Sequence, residues 1–347
     1  MSTTSQPGFE TIPGQENAVS TLTAFLSSGN IPHAIIFSGI SGSGKKAAAK
    51  AFAMAANCRH SETTSATGML PCGRCRACRT ISTDRHPDIH HLAPAGKMIK
   101  VEQIRQLRDA IAMKPFEATT RMVIIDDAHV MNTPAANALL KSLEEPPPDT
   151  VFLLLTDQPG RMLPTVVSRC QVVRFTPLSA EVILNGLSAI DHLSPEDREL
   201  IARLAGGSMR AAEIMAAPSW RQHRRMVLGL MASIDTLPPG LLLALAAHLA
   251  DAAVPVLESM AIMETWIRDV LVADVFPNRL INVDLMEKIK YSAEHTTAET
   301  TLHRAQAIRQ ARRRLDGNAN VKLTVEHLLL DMASGPSRQA PSGKMVL

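Results

Sequence analysis

The chain has 347 residues, a formal net charge of +3 and an aromatic content of only 3%. This length and composition predict a globular protein of two or three domains. So small a net charge excludes nucleic-acid binding driven by overall charge alone. Met1–Pro13 lacks the basic start and apolar core of a secretory signal, and the apolar run Leu241–Leu249 is shorter than the roughly 20 residues of a membrane span. We therefore expect a cytoplasmic protein without a membrane partner. Its five cysteines would be reduced there, which favours metal binding over disulfides.

The first half of the chain alternates strand and helix patterns. Short apolar runs predict five strands, at Ala34–Ser38, Asp88–Leu92, Met122–Ile125, Val151–Leu155 and Val172–Phe175. Intervening periodic segments predict helices, at Lys45–Ala56, at Val101–Met113, and from a cap at Thr133 to near Glu145. Strands alternating with helices at this spacing predict an α/β domain built on a parallel sheet.

The second half of the chain has helical periodicity. It predicts a helix starting at Ser194 and another at Ser208–Ala217, followed by helices from Trp220 to near Met332. The last residues, 334–347, are rich in Ser, Gly and Pro and are predicted to be disordered.

A glycine-rich loop separates the first strand from the first predicted helix. Gly39, Gly42, Gly44 and Lys45 fit the pattern G-x-x-x-x-G-K in this strand–loop–helix context. Glycines allow backbone N–H groups to turn towards phosphate oxygens, while the lysine and the helix N-terminus add positive charge. The loop predicts a site for ATP or ADP phosphates; the alternative is an unrelated Gly/Ser turn.

Two residues depart from what ATP hydrolysis requires. Lys46 stands where a Ser or Thr would ligate Mg²⁺, and an ammonium group repels a cation. Asp126 and Asp127 end a strand that resembles the Walker B strand of AAA+ ATPases, in which Glu usually follows the first Asp. The shorter Asp127 would misplace its carboxylate by about an ångström, which can cost about 100-fold in rate. Both changes disfavour Mg²⁺ binding and hydrolysis, yet they are compatible with nucleotide binding.

Four cysteines follow a C-x13-C-x2-C-x2-C pattern within a segment of low apolar content, and they are Cys58, Cys72, Cys75 and Cys78. Such spacing suits four thiolates around one structural zinc ion, with no open position for catalysis. The alternatives are a redox switch, unrelated buried thiols, or His60 in place of Cys58. Cys170 lies outside the pattern and is predicted to be a buried structural thiol.

Longer motifs, together with the phosphate loop and the cysteine insert, resemble the AAA+ clamp-loader subunits of bacterial DNA polymerase III. They are Ile99–Arg105, Ala135–Pro147 and Leu163–Cys170, the last of which contains a Ser-Arg-Cys element. The resemblance covers roughly residues 10–215. The later helices, including Trp266–Asp269, are similar only in length and character.

The resemblance implies roles for three further residues. Arg169 of the Ser-Arg-Cys element would be an arginine finger that reaches the ATP site of a neighbouring subunit. Arg210 would be the second nucleotide sensor, acting within this chain, and Thr156 falls at the first sensor position. The alternative for Arg169 is a surface salt bridge.

The resemblance also implies a domain plan and an assembly. Residues 1–178 would form an AAA+ core with the zinc-binding four-cysteine insert at 58–80, residues 179–218 a helical lid, and residues 219–333 a helical collar. Because Lys46 and Asp127 depart from the residues that ATP hydrolysis requires, the chain resembles the delta-prime type of subunit. That type implies partnership with delta and gamma/tau subunits in a heteropentamer that loads the sliding clamp onto primer-template DNA, and it implies no polymerase site.

Three alternative functions would each require features that the sequence lacks. An ATP-hydrolysing gamma/tau-type motor would carry Thr after Lys45 and an Asp-Glu pair. A free-standing zinc-containing P-loop kinase would need an intact Mg²⁺ ligand, and a zinc-dependent DNA-binding module would need a basic recognition helix. Two basic clusters of the helical region are predicted to be solvated helix faces, with DNA contact as the alternative; they comprise Arg221, Arg224, Arg225, Arg309, Arg312, Arg313 and Arg314.

Overall fold

The computed structural model describes residues 8–9, 12–60, 62–64 and 68–335. Within these, the chain divides into two compact units, Met1–Ala189 with Ala205–Ala212 and Ile190–Leu204 with Glu213–Leu347. The predicted disordered tail lies outside the described residues from 336 onward, and Ser334 still belongs to the last helix. The boundaries predicted for core, lid and collar stay predictions.

A five-stranded, wholly parallel sheet forms the centre of the first unit. Its strands lie in the order β4-β5-β6-β1-β7. Their bounds are β1 Ala34–Ser38, β4 Ile89–Leu92, β5 Arg121–Ile125, β6 Thr150–Thr156 and β7 Gln171–Arg174. All five predicted strands are confirmed, with each end displaced by at most one residue. A separate two-stranded hairpin lies in the cysteine insert, with β2 at Glu62–Thr64 and β3 at Gly68–Leu70.

Helices flank both faces of the sheet, so the central strands are apolar at nearly every position. Ile35 and Phe37 of β1 contribute to one core, whereas Ala34 and Ile36 contribute to the other. The helices of this part of the chain are α1 Glu16–Ser28, α2 Lys45–Ala56, α3 Arg76–Ser82, α4 Val101–Ala110, α5 Thr133–Glu144, α6 Pro164–Val167 and α7 Ala180–Leu187.

Two predicted helix ends were wrong. The cap of α5 is Asn132, whose side chain accepts a hydrogen bond from the Ala135 N–H at 2.9 Å, and Thr133 is already the first helical residue. Helix α4 ends at Ala110 instead of Met113, and Arg121 binds carbonyls of the residues that follow it. Its Nη1 donates to Ile111 O at 2.8 Å and to Met113 O at 2.6 Å.

The remaining helices are α8 Pro195–Leu204, α9 Met209–Ala216, α10 Pro218–Ser233, α11 Pro239–Asp251, α12 Val256–Val272, α13 Met286–His295, α14 Ala298–Asp316 and α15 Val321–Ser334. In the second unit they bury one core that includes Trp220, Met263, Trp266 and Leu329. An α/β parallel-sheet domain followed by helices was the predicted fold class, and it is confirmed. Within the described ranges, no helix combines the length and the apolar character needed to cross a membrane.

The prediction of solvated basic faces was wrong for Arg224. Its side chain is buried, donates to both carboxylate oxygens of Asp284 at 2.8 Å, and donates to Asn282 Oδ1 at 2.7 Å. Asn282 is held in turn by the buried Asp269 carboxylate, which accepts its backbone N–H at 2.7 Å. This arginine therefore fastens α10 to the segment before α13.

A buried aspartate fixes the loop between α4 and β5. Asp88 accepts backbone N–H bonds from Phe116, Glu117 and Ala118 at 2.8–2.9 Å, and Arg121 Nη2 lies 3.7 Å from its carboxylate. Burial alone would raise the pKa of Asp88. The three N–H donors and the Arg121 charge outweigh it and hold that pKa below its usual value.

We predict that Asp88→Asn lowers the free energy of unfolding at neutral pH by about 3 kcal/mol, because it leaves a buried guanidinium without its countercharge. The folded pKa lies below the unfolded value. The contribution is therefore complete above about pH 4 and is lost as pH falls through the folded pKa. Urea denaturation at several pH values measures it. The control Asp109→Asn changes a carboxylate that is 77% exposed, and an equal loss in both variants would contradict the prediction.

Candidate nucleotide and metal sites

Three strand ends bring most of the predicted nucleotide-site residues together. Strands β5, β6 and β1 are parallel neighbours, so their carboxyl ends share one edge of the sheet. Gly39 follows β1, Asp126 follows β5, and Thr156 ends β6. Polar side chains collect here because the strands themselves are buried on both faces, and this edge is where open α/β sheets place ligands.

The glycines of the phosphate loop are required by contacts within the chain. Gly42 and Gly44 have φ of +76° and +96°, a left-handed conformation that favours glycine. A Cβ at Gly42 would collide with Ser208, and the Met209 N–H donates to Gly42 O at 3.1 Å. A Cβ at Gly39 would collide with the Phe175 backbone. The loop is therefore packed against other parts of its own unit.

Lys45 is engaged with its own loop. Its Nζ donates to Gly39 O and Ile40 O, both at 2.7 Å, and the residue is buried. Burial lowers the pKa of Lys45, an effect partly offset by the nearby carboxylates of Asp157 and Asp127. For the ammonium to contact a phosphate, it would have to release these two carbonyls.

Lys46 is paired with the first acidic residue. Its Nζ lies 2.7 Å from Asp126 Oδ2, and its side chain is 60% exposed. Asp127 adopts a left-handed φ of +48° and leads into a 3₁₀ turn at Ala128–Val130. A lysine ammonium beside Asp126 does not fit Mg²⁺, which needs oxygen ligands. That Mg²⁺ is disfavoured at this edge stays a prediction.

A histidine that the sequence analysis did not single out lies next to Thr156. His129 Nδ1 is 3.3 Å from the buried Thr156 hydroxyl, and His129 Nε2 is 3.4 Å from Asp157 Oδ1. The Thr156 hydroxyl also accepts the Gln158 N–H at 3.1 Å. The only feature of the sequence that points to His129 is its position shortly after the Asp126-Asp127 pair.

Arg169 lies away from this edge. It follows α6 and precedes the amino end of β7, and β7 is parallel to β1. Arg169 is therefore at the opposite edge of the sheet from the phosphate loop. Its Nη2 lies 2.7 Å from Glu144 Oε1, its Nη1 donates to Thr165 O at 3.0 Å, and its side chain is 37% exposed. The other predicted arginine, Arg210, is exposed near the start of α9.

The four predicted cysteines converge. The sulfur atoms of Cys58, Cys72, Cys75 and Cys78 all lie within 4.8 Å of one another, and such a cluster could hold a metal ion. Backbone N–H groups point at three of them: Cys72 N to Cys58 Sγ at 3.3 Å, Cys75 N to Cys72 Sγ and Cys78 N to Cys75 Sγ at 3.4 Å. His60 is not part of the cluster of ligand atoms.

The thiols of this cluster differ in acidity. Burial opposes ionisation of Cys72, but backbone N–H groups of Cys75 and Arg74 overcome it and lower its pKa to about 6. Burial raises the pKa of the Cys78 and Cys58 thiols. Sequence analysis missed the short helix α3, which Cys75 caps by accepting the Cys78 N–H. Cys170 is half-buried beside the other core, and burial raises its pKa to about 11.

Comparison with known proteins identifies the family. Two family profiles match: "DNA polymerase III, delta subunit" over residues 14–179, and its C-terminal counterpart over residues 219–334. The DNA polymerase III subunit delta' of Bacillus subtilis strain 168 is 32% identical, over 88% of this chain and 92% of that protein.

Two further relatives match over shorter stretches. The delta' subunit of Pseudomonas aeruginosa is 38% identical over 56% of this chain and 59% of that protein. The tau subunit of B. subtilis is 37% identical over 59% of this chain but only 36% of its own length. The relative matched along nearly its whole length is thus a delta' subunit, and the chain belongs to the DNA polymerase III delta' subunit family.

Proposed function

We propose that this chain is a clamp-loader subunit that completes the ATP site of a neighbouring subunit and hydrolyses little or no ATP itself. Its partners would be the delta and gamma/tau types of subunit, in a heteropentamer that places the sliding clamp on primer-template DNA. The delta' and tau names of its relatives support this assignment. The observation that carries the proposal is the position of Arg169 at the sheet edge opposite its own phosphate loop.

An arginine in that position cannot serve the nucleotide loop of its own chain. The guanidinium is held by the part-exposed ion pair with Glu144 and by the Thr165 carbonyl, and exposed ion pairs contribute at most about 1 kcal/mol. Arg169 could therefore exchange these partners for a phosphate at little cost. Its planar, permanently charged group can bind two phosphate oxygens of a transition state at once.

The geometry of the chain's own loop supports weak or absent hydrolysis. Lys46 neutralises Asp126, and Lys45 is bound by Gly39 and Ile40. Phosphoryl transfer needs a metal ion to neutralise charge on the phosphates. Binding of ATP or ADP would require rearrangement of Lys45. Thr156 and Arg210 are proposed as sensor residues of such a bound nucleotide.

We assign the cysteine cluster to structural zinc. A tetrahedral zinc with sulfurs at about 2.3 Å requires sulfur separations of about 3.8 Å, which a cluster within 4.8 Å can reach. With four thiolates no coordination position stays open, so the metal would stabilise the insert and take no part in catalysis. The segment that follows α3 from Thr83 connects the insert to β4 of the sheet.

The alternative of a gamma/tau-type motor is less well supported. The tau subunit of B. subtilis matches 59% of this chain, whereas the delta' subunit of the same organism matches 88% of it. The Lys46–Asp126 ion pair also opposes a motor role. It opposes a free-standing P-loop kinase for the same reason, since either activity needs a bound metal ion.

We predict that the isolated wild-type chain hydrolyses ATP at no more than a background rate. The double change Lys46→Thr with Asp127→Glu restores the missing ligand and the longer carboxylate, and it should raise the rate above that background. Steady-state phosphate release measures both. Wild-type turnover at motor-like rates would contradict the proposal.

We predict one zinc per chain by elemental analysis, and loss of that zinc in Cys75→Ser. Loss of the metal should lower the melting temperature, because metal-binding free energy contributes directly to folding of such inserts. The matched control is Cys170→Ser, which removes a thiol outside the cluster and should keep the zinc. Full zinc content in Cys75→Ser would rule out the assignment.

We predict that Arg169→Ala lowers the DNA- and clamp-stimulated ATPase of the reconstituted loader while leaving assembly and the fold intact. The loss should be partial if other sites keep their own arginines, although single fingers in related reactions are worth about 10³–10⁵ at one site. Arg210→Ala is the control, since it acts within this chain. Assembly is checked by gel filtration, and unchanged ATPase in an intact Arg169→Ala complex would leave Arg169 as a surface salt bridge.

A further inference from the structure

A basic cavity lies beside the cysteine cluster. It has a volume of about 440 Å³, and its lining includes the side chains of Arg59, Arg74, Arg76 and Arg79. Among the described residues that line it, Glu117 is the single carboxylate, and it is paired with Arg76 at 3.1 Å. The cavity lining therefore carries more guanidinium groups than carboxylates, with the cysteine cluster as a further negatively charged neighbour if it binds zinc.

The walls of this cavity are held in place. Asn57 Nδ2 donates to Ala53 O and Thr120 O, and its Oδ1 accepts the Thr120 N–H, at 2.9–3.0 Å. The same loop is bound through Glu117 N by the buried carboxylate of Asp88 at 2.8 Å. A site held by such internal bonds loses little conformational entropy when it binds a ligand.

Two of these arginines are available to an external anion. Arg59 and Arg79 are exposed, and within the described part of the chain neither has a carboxylate partner. Arg74, Arg76 and Arg79 alternate with the cysteines, so metal binding by the sulfurs would fix their spacing. Like charges held close together repel each other, and an anion bound by the exposed Arg59 and Arg79 would reduce that repulsion.

We propose that this cavity binds the phosphodiester backbone of DNA. Guanidinium forks match phosphate oxygens in shape and charge. No Phe, Tyr or Trp side chain lines the cavity in the described residues, so binding through the phosphates would be largely independent of sequence. The short helix α3 supplies Arg76 and Arg79. Sequence analysis missed α3 and found no basic recognition helix. Binding to the phosphodiester backbone of DNA does not require such a helix.

This inference does not depend on Arg169 or on ATP hydrolysis, so it is tested on the isolated, zinc-loaded full chain. The probe is a labelled oligothymidylate, followed by fluorescence anisotropy between about 50 and 200 mM salt. Arg59→Ala with Arg79→Ala should weaken binding and reduce the slope of log K against log salt by about 1.4, which is about 0.7 for each lost phosphate contact on a single strand.

The matched control is Arg309→Ala with Arg313→Ala, which removes the same charge from exposed positions on α14 and should leave the slope unchanged. The pair Arg59→Lys with Arg79→Lys should keep most of the salt dependence. Three outcomes overturn the proposal. The first is that the control pair weakens binding as much as the cavity pair. The second is that the cavity pair loses its zinc, which would mean that the arginines only balance the charge of the sulfurs. The third is that polyglutamate displaces the oligonucleotide at equal charge concentration, which would indicate an acidic protein partner.

Discussion

Burial of the parallel sheet on both faces is the constraint from which the other features of the first unit follow. Strands β5, β6 and β1 are apolar along nearly their whole length because helices cover both sides. Charged and polar groups can therefore accumulate only where strands begin or end. The chemistry of this unit is divided between the carboxyl edge and the amino edge of one sheet.

The two edges differ in how their charges are used. At the carboxyl edge two lysines have partners within the chain: Lys45 binds loop carbonyls and Lys46 pairs with Asp126. At the amino edge, the guanidinium of Arg169 is held by the part-exposed Glu144 carboxylate and the Thr165 carbonyl. Under the proposed function, this division would explain how a subunit with little ATPase activity of its own could contribute an arginine to a neighbour.

Sequence predicted the features that depend on local pattern. The strands, the phosphate loop and the convergence of four cysteines follow from apolar runs, glycine positions and two-residue spacers. Features that depend on distant partners could not be predicted: Arg224 pairs with Asp284 of another segment, and Arg121 binds the carbonyls of Ile111 and Met113 that follow α4. The Lys46–Asp126 pair could be predicted only in part. Sequence showed that Lys46 was a poor metal ligand but could not show that it pairs with Asp126.

The central claim is that Lys46 replaces a metal ion at the nucleotide edge. Electron paramagnetic resonance of Mn²⁺, titrated with ATP into the isolated chain, tests it most directly, because Mn²⁺ substitutes for Mg²⁺ on oxygen ligands. The account predicts that the wild-type chain holds no Mn²⁺–nucleotide complex, and that Lys46→Thr, which frees Asp126 and supplies a hydroxyl, gains one. A stoichiometric Mn²⁺–nucleotide complex on the wild-type chain would contradict it.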